Sequence, residues 1–349
     1  MLDYQVEALK RVREYARTNA EEHQSLVDDF CNASGVDVSL LTNRVLLNPV
    51  TINFHPDRFS NNGKTIIENL IEQGQYHGQF RTGTTNGGRS AHVGGDRFLW
   101  EQRIFFDAYQ QDIVDRPKYG ALNLFRYIDG ASVRFGSCFF TLKRDIIERC
   151  TFAYGDSSTN PTTLCTSDTF TCILAGIFDE FKSKGKVLDH VLDQSVTSKG
   201  EVLSLLLNPY NELRDLGRNL DYCIETHIHG DILLEQDIDS FYVDGSFQDT
   251  IIGEQAETLC RKYGLALYWI PKRQIDVESI GSLFRGPKIP ILADKVDSLF
   301  GKQGIINADL IGQASRDSVL RPDVWRDMGD EPWLFQYLKQ LWHTVGYFG

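Results

Sequence analysis

The chain has 349 residues, 42% hydrophobic and 24% charged, a size that predicts roughly two globular units with a real core. That composition excludes disorder, collagen-like repeats and low-complexity architecture. Lys and Arg number 36 against 48 Asp and Glu; the net charge of −12 repels phosphate backbones and predicts no nucleic-acid partner.

No stretch approaches the run of about 18 apolar residues that spans a bilayer, so no membrane partner is expected. The N-terminus, MLDYQVEALKRVREYA, alternates charge with apolar residues and lacks the apolar region of a Sec signal peptide. Seven cysteines (31, 138, 150, 165, 172, 223 and 260) are scattered, odd in number and never spaced C-x-x-C. That pattern is neither a disulfide framework nor a zinc ribbon, and it predicts a reduced, cytoplasmic setting.

Residues 3 to 30 read as helix: Val6, Leu9, Val12 and Ala16 recur at spacings of three and four, and Leu26, Val27 and Phe30 renew the stripe. PVTINF (49–54) reads as a strand ended by His55-Pro56. Lys64 to Gln73 has helical spacing and stops at Gly74, a left-handed cap. The loop from Gly78 to Gly95 follows, with six glycines interleaved with Thr, Asn and Arg. Asp96 is positioned to cap a helix carrying Leu99, Trp100, Ile104, Phe105 and Tyr109.

Strand patterns recur at Tyr119 to Phe125, Val133 to Leu142 and Thr151 to Tyr154. A helix is expected from about 168 to 181, then a polar helical stretch over 185–220. YCIETHIHGDI (222–232) alternates like a strand, with Cys223, Glu225, His227 and His229 on one face. A helix at about 248 to 262 ends at Gly264, and LALYWI reads as a strand stopped by Pro271. The tail beyond about 290 reads as helices. Strands and helices interleave irregularly, so the class is α+β, and the missing G-x-G-x-x-G after a strand argues against a Rossmann domain.

Four constellations carry chemistry. Glu225 is either a water-facing charge or, beside two imidazoles, a carboxylate able to stabilise positive charge or act as general base. His227, His229 and Asp231 also read as H-x-H-x-D, a fragment of a binuclear metal site, although Ile232 stands where that motif continues with histidine. The Gly78–Gly95 loop is either a surface loop or an anion nest with Arg81 and Arg89 as charged donors. Phe54-His55-Pro56-Asp57-Arg58 closes a strand with a dense polar group. In Arg134-Phe135-Gly136-Ser137-Cys138 the glycine implies close approach of a ligand or another backbone, or a bulge. Asp156-Ser157-Ser158-Thr159 reads as a turn, and Cys138 and Cys223 as small core residues.

NFHPDR (53–58), GQYHGQFRTGTTNGG (74–88), RPKYGALNL (116–124), RFGSCFF (134–140), TFAYGDSS (151–158), ETHIHGDI (225–232) and the closing YLKQLWHTVGYFG occur in this order. Together they resemble a microbial family long filed as a domain of unknown function and related to the CteC-like ADP-ribosyltransferases, effectors that modify ubiquitin on threonine. The resemblance implies the split β-sandwich of ADP-ribosyltransferases, two antiparallel sheets with NAD bound between them. It places the family's glutamate on Glu225 and its aspartate on Asp57, with Asp156 and Asp231 as rivals for the latter. It also implies an NAD site drawn from His55, Arg58 and Tyr119, with Arg134 and Ser137 of the RFGS segment. The glycine-rich loop would add Gln79, Arg81, Thr82, Gly83, Thr84, Asn86 and Gly87. Arginine-modifying members carry Glu or Gln two residues before the catalytic glutamate; Cys223 stands there, which argues against a guanidinium acceptor and for a hydroxyl or another acceptor.

The expectation is therefore an NAD-dependent mono-ADP-ribosyltransferase with a protein acceptor, possible host delivery by a specialised secretion route, and no metal. The expected organisation is a helical segment over 1–48, a catalytic domain over 49–290 with a helical insertion at 183–220, and a helical segment over 291–349; either 1–48 or 183–220 is a candidate for target recognition. A metal-dependent hydrolase using His227, His229 and Asp231, or a binding module without turnover, are the alternatives.

Overall fold

A computed structural model describes residues 1–83, 90–110, 113–188, 190–191, 198–208, 220–301 and 303–349. The class is α+β, as the sequence predicts. Eight strands make one mixed sheet: β1 (Val50–Phe54), β2 (Lys118–Leu122), β3 (Cys138–Leu142), β4 (Cys150–Tyr154), β5 (Leu164–Thr166), β6 (Ile224–Ile228), β7 (Ile238–Asp244) and β8 (Ala266–Ile270). Their spatial order is β8-β7-β3-β1-β2-β6-β4-β5, and only β7 and β8 run parallel.

Among the described residues no sandwich of two separate stacked sheets is seen: hydrogen bonding links all eight strands. The link at the centre is nevertheless thin. β1 and β2 register only Val50 with Leu122 and Thr51 with Ala121, whereas β1 pairs with β3 at four positions and β2 with β6 at five. Beyond Thr51 the two strands part, and the sheet forks. Gly120 permits this geometry: a Cβ there would lie 2.6 Å from the Thr51 carbonyl oxygen. The side chains of Thr51 and Asn53 hold the segment 129–136 against β1, accepting from Ala131 N–H (3.0 Å) and Ser132 N–H (3.3 Å), while Asn53 donates to the Asp129 carbonyl (2.9 Å).

The predicted first helix is two helices, α1 (Asp3–Thr18) and α2 (Ala20–Asn32), separated at Asn19, a residue that competes poorly for helical backbone. α3 (Val38–Leu46) follows, then α4 (Ile66–Gln73), which has a Thr65–Glu68 capping box and ends on Gly74 at φ 67°. α5 (Asp96–Ile104) starts one residue earlier than expected: Gly95 occupies the cap and Asp96 is the first helical residue. Val133–Phe135 is a 3₁₀ turn rather than strand, because Gly136 passes so close to β1 that a Cβ would lie 2.0 Å from the Phe54 carbonyl carbon. α6 (Thr171–Lys184) leads into the 183–220 region, whose described residues hold the Lys186–Val187 and His190–Val191 strand pair and α7 (Lys199–Leu207), which packs on α2 and α3; residues 189, 192–197 and 209–219 of the predicted helical stretch lie outside the described residues. α8 (Ile251–Tyr263) ends on Gly264 at φ 67°, and α9 (Lys288–Val296), α10 (Ala308–Leu320) and α11 (Glu331–Phe348) form the C-terminal layer.

One main core draws from every part of the chain, including Phe30 and Val45, Phe54, Phe140 and Phe241, and Trp325 and Trp342. A second cluster joins Ala8 and Val12 of α1 to Ile104, Phe105 and Tyr109 beside β4 and β5. No described helix is long and apolar enough to cross a membrane. All seven cysteines are buried free thiols.

Arg273 fastens the C-terminus. Its guanidinium is buried, donating to Asp129 (Nε, 2.8 Å) and to the carbonyls of Gly346 and Gly349 (3.0 Å each). Removing one member of a buried ion pair strands the other charge. Arg273→Met is expected to cost about 3–5 kcal/mol in urea unfolding; a change under about 1 kcal/mol would contradict this role.

Candidate active site

The fork between β1 and β2 opens into a cleft of about 380 Å³, within the roughly 300–1,000 Å³ of ligand pockets. Asn53 and Phe54 line one prong, and Lys118, Tyr119 and Gly120 the other. Glu225 projects into it from β6. Its cross-strand neighbours are Ala121 on β2 and Ala153 on β4, so two methyl groups flank the carboxylate and leave it room. The residue is 5% exposed, and a charge so buried requires partners. Its Oε2 accepts the Ser157 backbone N–H at 2.7 Å and lies 3.3 Å from His227 Nε2.

Ser157 is placed by the predicted turn. Asp156 caps it, its Oδ1 accepting from the Ser158 N–H (2.8 Å) and hydroxyl (2.6 Å). The other Asp156 oxygen faces Arg134 Nη1 at 3.4 Å, and the same guanidinium also pairs with Asp221. Asp156, Ser158, Arg134 and Phe135 all line the cleft.

α5 forms the opposite wall. Glu101 is fully buried and accepts from Arg97 (3.1 Å), Arg116 (3.0 Å) and the Tyr119 hydroxyl (3.1 Å). Arg97 lies 4.0 Å over the Tyr119 ring and donates to Gln79 Oε1 at 2.6 Å. Trp100 Nε1 donates to the Tyr119 oxygen at 3.3 Å. Burial, reinforced by the Glu101 charge, holds the Tyr119 phenol well above its ordinary pKa, so it stays a neutral donor. Tyr76 and His77 close a third side, and burial lowers the His77 pKa.

The cleft thus gathers Glu225, Gln79, Thr82, Tyr119 and Arg134 from the sequence-derived set. Asp57 does not line it. That residue is buried under α10, where a Cβ on Gly312 would fall 1.3 Å from Asp57 Oδ2 and Arg316 Nη1 stands 3.2 Å away. Burial raises the Asp57 carboxyl, against the opposing pull of Arg58 and Arg316. His55 packs edge-on against Trp342 with Nδ1 3.4 Å from Ser137 Oγ, and Arg58 donates to the Ile311 carbonyl at 3.3 Å. Arg81 pairs with Asp115 at the surface, and Gly83 is the left-handed cap of a single helical turn, φ 65°. None of these five, nor Ser137, lines the cleft. Thr84, Asn86 and Gly87 lie outside the described residues.

The H-x-H-x-D residues do not converge. The rings of His227 and His229 bond to Thr151, Ser157 and Tyr109, while Asp231 accepts from Gln75 at 2.8 Å. Among the described residues no three His, Cys, Asp or Glu side chains form a group able to hold a metal.

Sequence reading missed Arg97, Trp100 and Glu101. The i, i+4 spacing of Arg97 and Glu101 was visible as a helical ion pair, but nothing local places Tyr119 between them.

Three imidazoles are buried neutral. Burial, first among the causes, puts His55, His229 and His343 well below the ordinary histidine pKa. In the unfolded chain each protonates near pH 6.5. Stability is therefore full above that pH and falls as pH drops below it, by about 1.4 kcal/mol per pH unit for each histidine. Urea unfolding between pH 7 and pH 5 should show this loss, and His343→Phe should flatten its slope by about one proton. A slope unchanged by that substitution would contradict the burial of a neutral ring.

No curated protein matches the chain. A family model covers most of it, from the first strand to the last helix, and the chain belongs to that family, DUF3626, described as a protein of unknown function and matched over residues 49–348.

Proposed function

We propose that the protein is an NAD-dependent mono-ADP-ribosyltransferase, with the cleft at the sheet fork as its NAD site. The observation that carries this reading is a buried glutamate flanked by two alanines at the base of a fork, with aromatic planes and guanidinium groups on the surrounding walls. The forked sheet is our counterpart of the split sandwich implied by the CteC-like resemblance: the prongs diverge as two sheets do, while two residue pairs keep them joined.

The residue chemistry suits cleavage of the nicotinamide–ribose bond. As that bond breaks, nicotinamide leaves neutral with the bonding electrons and the ribose gains oxocarbenium character. A carboxylate at Glu225 stabilises that charge more in the transition state than in the ground state, as in glycoside hydrolysis. The Ser157 N–H fixes one oxygen and leaves the other for the ribose. Tyr119, Trp100, Tyr76 and Phe135 offer stacking planes, and Arg97 and Arg134 offer charge for phosphates in an otherwise acidic protein.

The second carboxylate of the site is Asp156 in this reading, since Asp57 lies under α10. An acceptor hydroxyl attacks C1′, forms the new C–O bond and gives up its proton, for which Asp156 is the nearby base. Cys223 also lines the cleft, and burial pushes its thiol up, so it supplies no charge to align a guanidinium. That favours a hydroxyl acceptor, for which the resemblance suggests a threonine of ubiquitin in a cytosol reached by the protein as an effector.

The test is mass spectrometry of protein incubated with NAD, with and without ubiquitin. Wild type is expected to release nicotinamide and attach ADP-ribose to ubiquitin. Glu225→Gln should lower the rate by on the order of 10²–10³-fold while remaining folded. Nicotinamide release without an adduct would reject ubiquitin alone. No NAD consumption, with bound zinc or manganese in the same sample, would replace this reading with the hydrolase.

A further inference from the structure

The Glu-Thr-His-Ile-His run, along β6 and one residue past its end, supplies two imidazoles that the proposed transfer leaves without a task. Both belong to one continuous line of hydrogen bonds that ends on the cleft carboxylate. Tyr109 Oη lies 2.6 Å from His229 Nδ1, and His229 Nε2 lies 3.1 Å from Thr151 Oγ1. Thr151 Oγ1 lies 3.0 Å from His227 Nδ1, and His227 Nε2 lies 3.3 Å from Glu225 Oε2. All four residues behind the glutamate are at most 1% exposed. Phe105 presents its ring edge-on to both imidazoles, and Tyr119 does so to His227.

We propose that Tyr109, His229, Thr151 and His227 form a one-way donor chain that orients the Glu225 carboxylate, which makes them positioning residues for it. The proposal rests on Glu225 being the acting carboxylate, as read above.

The direction follows from counting protons. A carboxylate only accepts, so His227 presents Nε2–H to it, and we take this ring with a single proton, which leaves Nδ1 bare. A bare Nδ1 needs a donor, and the Thr151 hydroxyl has one proton to give. Having given it, Thr151 accepts from His229, whose proton must then sit on Nε2. His229 Nδ1 is bare in turn, and the Tyr109 hydroxyl donates to it. The far end agrees: burial keeps Tyr109 a neutral phenol and His229 an uncharged ring, so neither end breaks the order. Bonds aligned in one sense polarise one another, and the last of them falls on the carboxylate. Ser157 Oγ, 2.9 Å from His227 Nε2, shares the final N–H as an acceptor. The reverse order would need Ser157 to donate into the ring and would leave the Tyr109 proton without an acceptor in the chain. It would also give Glu225 no N–H from His227.

The experiment is ¹⁵N NMR of the histidine rings in the full chain without NAD, for wild type, Thr151→Val and Thr151→Ser. Wild type should show His227 and His229 protonated at Nε2 with both Nδ1 atoms bare. Thr151→Val, which cuts the chain at its middle, should shift His227 Nδ1 and His229 Nε2, and Thr151→Ser should restore the wild-type signals. If Thr151→Val does not fold, Tyr109→Phe removes the first donor instead and should shift His229 Nδ1. A proton on His227 Nδ1, or ring signals indifferent to the cut, overturns the chain.

Turnover is read separately. Thr151→Val, or Tyr109→Phe in its place, should lower kcat for nicotinamide release by about tenfold with KM unchanged. An unchanged kcat would overturn the positioning role. A wild type with no NAD turnover, but with the expected ring signals, would refute the transferase reading and leave the donor chain standing.

Discussion

The parting of β1 from β2 after two residue pairs is the constraint on which the rest of the site depends. A continuous ladder would bring Asn53 and Phe54 against Lys118 and Tyr119 and leave no cleft. The segment 129–136, held by the side chains of Thr51 and Asn53, lies along β1 where the sheet opens. At Gly120 and Gly136, one on each side of β1, the β1 backbone comes too close for a side chain.

Burying Glu225 is costly, and its neighbours show how the cost is met. The Ser157 N–H and the ring of His227 supply donors, and Ala121 and Ala153 keep bulk away from the open oxygen. Glu101 solves the same problem differently, taking Arg97, Arg116 and Tyr119 at once and anchoring α5 as a wall. One carboxylate is saturated and structural; the other keeps room on one side. That contrast separates the candidate catalytic group from the scaffold around it.

Local pattern carried much of this into view. Alternation in Cys-Ile-Glu-Thr-His put Glu225 and His227 on one strand face, and glycines 74 and 264 ended their helices in left-handed caps as expected. The Asp156–Thr159 turn was also legible, but not that its second residue would hold Glu225, because that contact spans 68 positions. Asp57 lies away from the cleft for a related reason. The side chain next to a strand end looked available, yet α10, some 250 residues later, lays Gly312 on its carboxylate. The RFG segment reads as strand because it leads straight into the apolar run Cys138–Leu142, whereas Gly136 against Phe54 forces a turn.

The central claim is that NAD occupies the fork. Hydrogen–deuterium exchange of the Glu225→Gln protein, with and without NAD, tests it most directly because the bound substrate is not consumed. Protection is expected in the described segments that wall the cleft: Tyr76–Thr82, Asp96–Trp100, Ser132–Phe135 and Asp156–Ser158. Protection centred on Asp57 and α10 instead, or none at saturating NAD, would contradict the account.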